Sequence, residues 1–129
     1  SLTGHVDICF ALDRDNLRRL AAALTSLTAI RRGMPTEVSA PLDDRALRAG
    51  DVFTLSTRYG DLDLLAHPEP GLDFETLVGR SITAEILGVP VRVASLDDLI
   101  AMKRAAGRPK DRIELEILGA LREEIDRRG

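Results

Sequence analysis

The chain has 129 residues and a mass of 14.1 kDa, which fits one globular domain and makes a second hydrophobic core unexpected. Its formal charge of −3 argues against a generally basic nucleic-acid-binding surface, and no segment has the roughly 18 consecutive apolar residues of a membrane helix. The single cysteine, Cys9, excludes a disulfide framework and favours a cytoplasmic location. Because the chain begins at Ser1 rather than Met, we expect further residues before it.

Two of the predicted strands carry an acidic residue near their middle. The first runs from His5 to Phe10 and contains Asp7; the other runs from Asp61 to Ala66 and contains Asp63. Side chains alternate across a strand, so each carboxylate stands on the face opposite the apolar residues. If the strands are neighbours in one sheet, Asp7 and Asp63 converge on a divalent cation. The alternative is that both are solvent-face acids that discourage pairing at a sheet edge.

The segment between the acidic strands predicts a helix, a long loop and a third strand. Asp13 to Asn16 cap an amphipathic helix, and the loop from Arg31 to Gly50 includes a short strand at Glu37 to Ala40 and a helical turn at Asp43 to Ala49. The strand from Val52 to Thr57 then forms an antiparallel hairpin with the second acidic strand.

The remaining residues predict three helices and one strand pair. We expect a short helix from Phe74 to Val78, strands from Ser81 to Leu87 and from Val89 to Ala94, a helix that begins at Ser95 and a last helix with an apolar stripe of Ile113, Ile117, Leu121 and Ile125. The helix at Ser95 starts with a capping-box pattern in which Asp98 replaces the usual Glu.

Lys103 falls on the apolar face of its helix, where a lysine is normally avoided. It either points into a cleft or lies at the edge of the stripe with its ammonium group in solvent. It also opens a run of ten residues that holds five basic residues and one acidic residue, including Arg108 and Lys110. Such a run suits phosphate groups, and it also suits a solvated junction between two helices.

Four segments together resemble the nucleotidyltransferase superfamily of polymerase-β type. They are Thr3 to Ile8, Tyr59 to Leu65, Val93 to Lys103 and Arg108 to Asp111, and the nearest resemblance is to AbiEii-type toxin nucleotidyltransferases. The resemblance implies an α+β fold in which helices flank a mixed sheet, as one nucleotidyltransferase-like domain over residues 1–129. It also implies transfer of a nucleotidyl group from an NTP to a hydroxyl of an RNA or protein.

The resemblance assigns roles to particular residues. Asp7 matches the second and Asp63 the third of three catalytic carboxylates that bind Mg²⁺ or Mn²⁺, and His5 occupies the position of the first. Lys103, Arg108 and Lys110 match basic residues near the phosphates. Implied partners are an NTP, a tRNA or protein acceptor and an antitoxin, with no membrane.

Two departures from the family pattern leave an alternative open. His5 stands where the first carboxylate is expected, and a neutral imidazole brings no negative charge to a hard magnesium ion. The Gly-Ser turn that precedes the acidic strand in the family is absent from the sequence, which starts too late to contain it. The alternative is therefore a catalytically degenerate member that binds nucleotide, RNA or protein. A third reading is a solvated scaffold without a site.

Overall fold

A computed structural model gives the structure of the protein and describes residues 5–106 and 109–128. Backbone contacts divide the chain into two compact units, residues 1–74 and 75–129. The expectation of a single domain over residues 1–129 stays a prediction. Within the described residues, no helix combines the length and the apolar character needed to cross a membrane.

The first unit contains a four-stranded sheet and two α-helices among its described residues. In chain order they are β1 (His5–Cys9), α1 (Arg14–Ser26), β2 (Ile30–Arg31), a 3-10 helix (Thr36–Val38), α2 (Asp44–Ala49), β3 (Val52–Thr57) and β4 (Gly60–Leu65). The strand order is β1-β4-β3-β2; β1 is parallel to β4, and the other neighbours are antiparallel. The sheet is therefore mixed, and the predicted antiparallel hairpin is present as β3 and β4.

Aspartate side chains start both helices of this unit. Asp13 accepts a hydrogen bond from the backbone N–H of Asn16, and Asp43 accepts one from that of Ala46. Each bond satisfies one of the N–H groups that have no partner inside the helix. The predicted cap of α1 and the predicted helical turn after Asp43 are confirmed.

The hydrophobic core lies between one face of the sheet and the two helices. Leu55 of β3 and Leu64 of β4 are fully buried there, and Leu17 and Leu24 of α1 pack into the same cluster. The cluster consists of Phe10, Leu17, Leu24, Leu47, Phe53, Leu55, Leu64 and Ala66. Because strand residues alternate, the intervening side chains of β3 and β4 stand on the opposite face.

The strand predicted from Glu37 to Ala40 is wrong. The N–H of Val38 donates to the carbonyl of Pro35 at 3.1 Å, and the Ser39 hydroxyl donates to the same carbonyl. Proline fixes its own φ near the helical value and so favours the start of a helical turn. The place beside β3 is taken instead by the two residues of β2, Ile30 and Arg31.

The second unit consists of a β-hairpin and helices. Its elements are α3 (Phe74–Arg80, whose first residue belongs to the first unit), β5 (Ile82–Ile86), β6 (Val89–Val93), α4 (Leu96–Ala106) and α5 (Pro109–Arg128). Leu87 and Gly88 both have positive φ, as a tight two-residue hairpin turn requires. With five α-helices and a mixed sheet in the described residues, the predicted α+β class is confirmed.

Candidate functional site

Asp7 and Asp63 stand side by side on neighbouring parallel strands. The register of β1 and β4 pairs Asp7 with Asp63 and His5 with Asp61. Backbones of neighbouring strands are about 4.8 Å apart, so paired residues project from the same face at close range. The condition set by the sequence, that the two acidic strands are sheet neighbours, is met.

The carboxylates lie on the sheet face opposite α1 and α2. Leu62 and Leu64 of β4 point to the core side, which leaves Asp61 and Asp63 on the other side. Asp7 is exposed on this side. Thr54 and Ser56 of β3 are the register partners of Asp63 and Asp61, so they share the face. We call the surface formed by Asp7, Asp61, Asp63, Thr54 and Ser56 the acidic face.

Arg32 reaches across β3 to the two aspartates of β4. Its backbone N–H donates to the carbonyl of Thr54 at 2.9 Å, which fixes its main chain beside β3. Its Nη2 then donates to Oδ1 of Asp63 at 2.6 Å, and its Nη1 lies 3.0 Å from Oδ2 of Asp61. The Asp63 side chain is 20% exposed and that of Asp61 is 41% exposed. One guanidinium group thus bridges two carboxylates.

The charges on the acidic face are coupled through this bridge. The hydrogen bond to Asp63 is the main cause that raises the pKa of Arg32 above its ordinary value. The negative charges of Asp63 and Asp61 act in the same direction, while partial burial acts against them. Arg32 therefore stays cationic and offsets the repulsion between its two acidic neighbours.

The acidic face has the donor atoms that a hard divalent cation prefers. Among the described residues, no group of three His, Cys, Asp or Glu side chains could hold a metal ion. Magnesium, however, is commonly bound by one or two carboxylates and completes its shell with water and substrate phosphates. Asp7 and Asp63 fit that two-carboxylate pattern. His5, predicted as a further ligand, is the first residue of β1, and the backbone register pairs it with Asp61.

Comparisons of the chain with protein-family models, with curated proteins and with solved structures found no match. The side-chain chemistry of the acidic face is therefore the structural basis for a functional proposal.

The predicted phosphate-binding residues all belong to residues 75–129. Lys103 lies in α4 and is half-buried, and Lys110 lies in the first turn of α5. Arg108 lies outside the described residues. Their contact with phosphates stays a prediction.

Arg32 is the residue of this face that the sequence did not reveal. The sequence predicts only a long loop at this position, because β2 is two residues long and has no strand pattern of its own. The one local signal is strand alternation, which puts Arg32 on the face opposite that of Arg31. This signal is readable only once β2 is known to pair with β3.

Proposed function

We propose that the chain is a nucleotidyltransferase-like domain that transfers a nucleotidyl group from an NTP to a hydroxyl of an RNA or protein acceptor. The observation that carries this proposal is the pairing of Asp7 with Asp63 in register, on the face of the mixed sheet opposite the cluster that packs against α1 and α2. Metal-dependent phosphoryl transfer needs carboxylates held at such close range. The resemblance of the acidic strands to polymerase-β-type nucleotidyltransferases supports the same assignment.

Each residue has a defined role in this proposal. Asp7 and Asp63 hold Mg²⁺ or Mn²⁺, and the resemblance assigns His5 as a further ligand. The bound cation would stabilise the charge on the attacking and leaving oxygens of the transfer. The resemblance assigns the phosphates of the NTP to Lys103, Arg108 and Lys110. It also places the domain in a toxin–antitoxin system, with an antitoxin as its protein partner.

Incorporation of labelled nucleotide tests the role of Asp63. The purified protein is incubated with each labelled NTP, Mg²⁺ or Mn²⁺, and tRNA or protein acceptors. We expect Asp63→Asn to reduce incorporation by at least about 100-fold, because it removes charge that acts on the transition state. Asp15→Asn is the matched control, since Asp15 is an exposed acid on α1, which packs against the opposite face. Equal incorporation by the wild type and Asp63→Asn would contradict the proposal.

A catalytically degenerate binding module is the second candidate. It is favoured by the Arg32 bridge, which already occupies Asp61 and Asp63, and by His5 at the position of the first carboxylate. This candidate predicts no incorporation by the wild type but a thermal shift on addition of NTP and Mg²⁺. If the wild type shows neither incorporation nor a shift, both candidates are wrong.

A further inference from the structure

Arg32 contacts Asp63, one of the two carboxylates proposed to hold a divalent cation. Its two terminal nitrogens contact one oxygen of Asp63 and one of Asp61, at 2.6 and 3.0 Å. A guanidinium group and a divalent cation compete for such oxygens, because both are cationic and both require close contact with the same lone pairs.

The rest of the contacts hold Arg32 in this position. Its main chain is bonded to the carbonyl of Thr54, and its Nη1 also donates to the carbonyl of Leu55 at 3.4 Å. The Ser56 hydroxyl lies 3.4 Å from Asp61 on the same side. The Arg32 side chain is two-thirds shielded from solvent, with 33% of it exposed. The bridge is thus a built part of the sheet rather than a chance surface pair.

We infer that Arg32 is an internal cation that holds the carboxylates of Asp61 and Asp63 in the metal-free protein and must leave Asp63 before a divalent cation binds there. The inference rests on the proposed function for the identity of the ligand as a divalent cation. It predicts that Arg32 lowers the affinity for a divalent cation, in addition to the effect of the missing carboxylate at His5. Removal of the guanidinium should therefore strengthen cation binding, whereas removal of most site residues weakens it.

Binding of Mn²⁺ alone, without nucleotide, tests this inference. Free Mn²⁺ is measured by electron paramagnetic resonance during titration of the wild type and of Arg32→Gln at fixed ionic strength. We expect Arg32→Gln to bind Mn²⁺ about tenfold more tightly, a size typical of coupling between two ligands of one site. Arg32→Lys should give an intermediate affinity, because it keeps the charge but cannot bridge two carboxylates.

Control variants test whether the change in Mn²⁺ affinity is specific to the acidic face. Arg31→Gln removes the neighbouring cation, which lies over the Phe53 ring at 5.5 Å on the core side, and should leave the affinity unchanged. Adding Asp63→Asn to Arg32→Gln should abolish the tightened binding. Circular dichroism identifies variants that do not fold; if Arg32→Gln is among them, Arg32→Lys decides alone.

Each outcome has one meaning. An unchanged or weakened Mn²⁺ affinity in folded Arg32 variants overturns the inference, and so does the absence of Mn²⁺ binding in all proteins. Tightened binding without nucleotide incorporation leaves the inference intact and counts against catalysis only. The failure of the inference and the failure of the proposed function are therefore distinguishable.

Discussion

Among the side chains that the structure describes, the buried charged residue is Asp98, with 5% of its surface exposed. Arg80 holds both of its carboxylate oxygens, with Nε at 3.1 Å and Nη2 at 2.8 Å. The hydrogen bond to Arg80 is the main cause that lowers the pKa of Asp98, Ser95 adds to it, and burial acts against it. A buried carboxylate is stable in this position only because its charge is matched.

This ion pair predicts a pH-dependent contribution to folding stability. Because the pKa of Asp98 is lower in the folded than in the unfolded state, its contribution is present above pH ~4 and is lost as the pH falls through the folded value. We expect Asp98→Asn to lower the free energy of unfolding by about 1 kcal/mol at pH 7, a value reduced because Arg80 is half exposed. Urea unfolding at pH 7 and pH 3 measures the change.

A neighbouring residue provides the control for this measurement. Asp97→Asn removes an acid that is 70% exposed and pairs with Arg122 at the surface, and it should change stability much less. If Asp98→Asn destabilises the protein equally at both pH values, the charge of Asp98 is not the cause.

At the scale of elements, the start of α4 shows what the sequence reveals and what it does not. The Ser95 hydroxyl accepts the N–H of Asp98 at 3.1 Å, so the predicted cap is confirmed, because a cap depends on residues three positions apart. In a capping box the Asp98 carboxylate would reach back to the Ser95 N–H; instead, Arg80 holds both of its oxygens. Arg80 is distant in sequence, and no local pattern identifies it as the partner.

On the acidic face, too, local sequence patterns identify some residues, whereas a contact between residues distant in sequence is not apparent from them. Alternation placed Asp7 and Asp63 opposite the apolar residues, and their strands are neighbours as the sequence allowed. Local sequence does not identify Arg32, because its pairing with Asp63 spans 31 positions and depends on the two-residue strand β2. Local patterns therefore found the carboxylates but not the guanidinium that bridges Asp61 and Asp63.

Gly50, at the end of α2, is a position where a larger residue should destabilise the protein. A Cβ on Gly50 would clash with the ring of Phe53, a buried core residue that packs against Phe10. We expect Gly50→Ala to lower the free energy of unfolding by about 1–3 kcal/mol, because the ring must shift in a close-packed core. Thermal or urea unfolding measures the effect.

Gly79 is the matched position for that test. It lies inside α3, its φ is not positive, and a Cβ there would meet no atom within 4 Å. Gly79→Ala should therefore stabilise the protein by up to about 1 kcal/mol, because alanine is the better helix former. A loss of stability in Gly79→Ala as large as that in Gly50→Ala would show that the close contact with Phe53 is not the cause.

At the scale of the whole molecule, the two units differ in how much apolar surface they bury. The hydrophobic cluster of the first unit includes fully buried side chains from both β3 and β4. In the second unit the strands β5 and β6 are mostly exposed. The apolar stripe of α5 is also open to solvent, with exposures of 62%, 64%, 48% and 50% at Ile113, Ile117, Leu121 and Ile125.

This difference predicts unequal resistance to local opening in two hairpins of similar length. The hairpin β3–β4 must expose Phe53, Leu55 and Leu64 to open, whereas β5–β6 exposes little surface that is not already solvated. Native-state amide hydrogen exchange measures the opening free energy of each strand. After correction for intrinsic rates, we expect bonded amides of β3–β4 to be protected at least about tenfold more than those of β5–β6, a difference of ~1.4 kcal/mol. Equal protection would mean that β5–β6 is stabilised by burial that the exposure of its strand residues does not reveal.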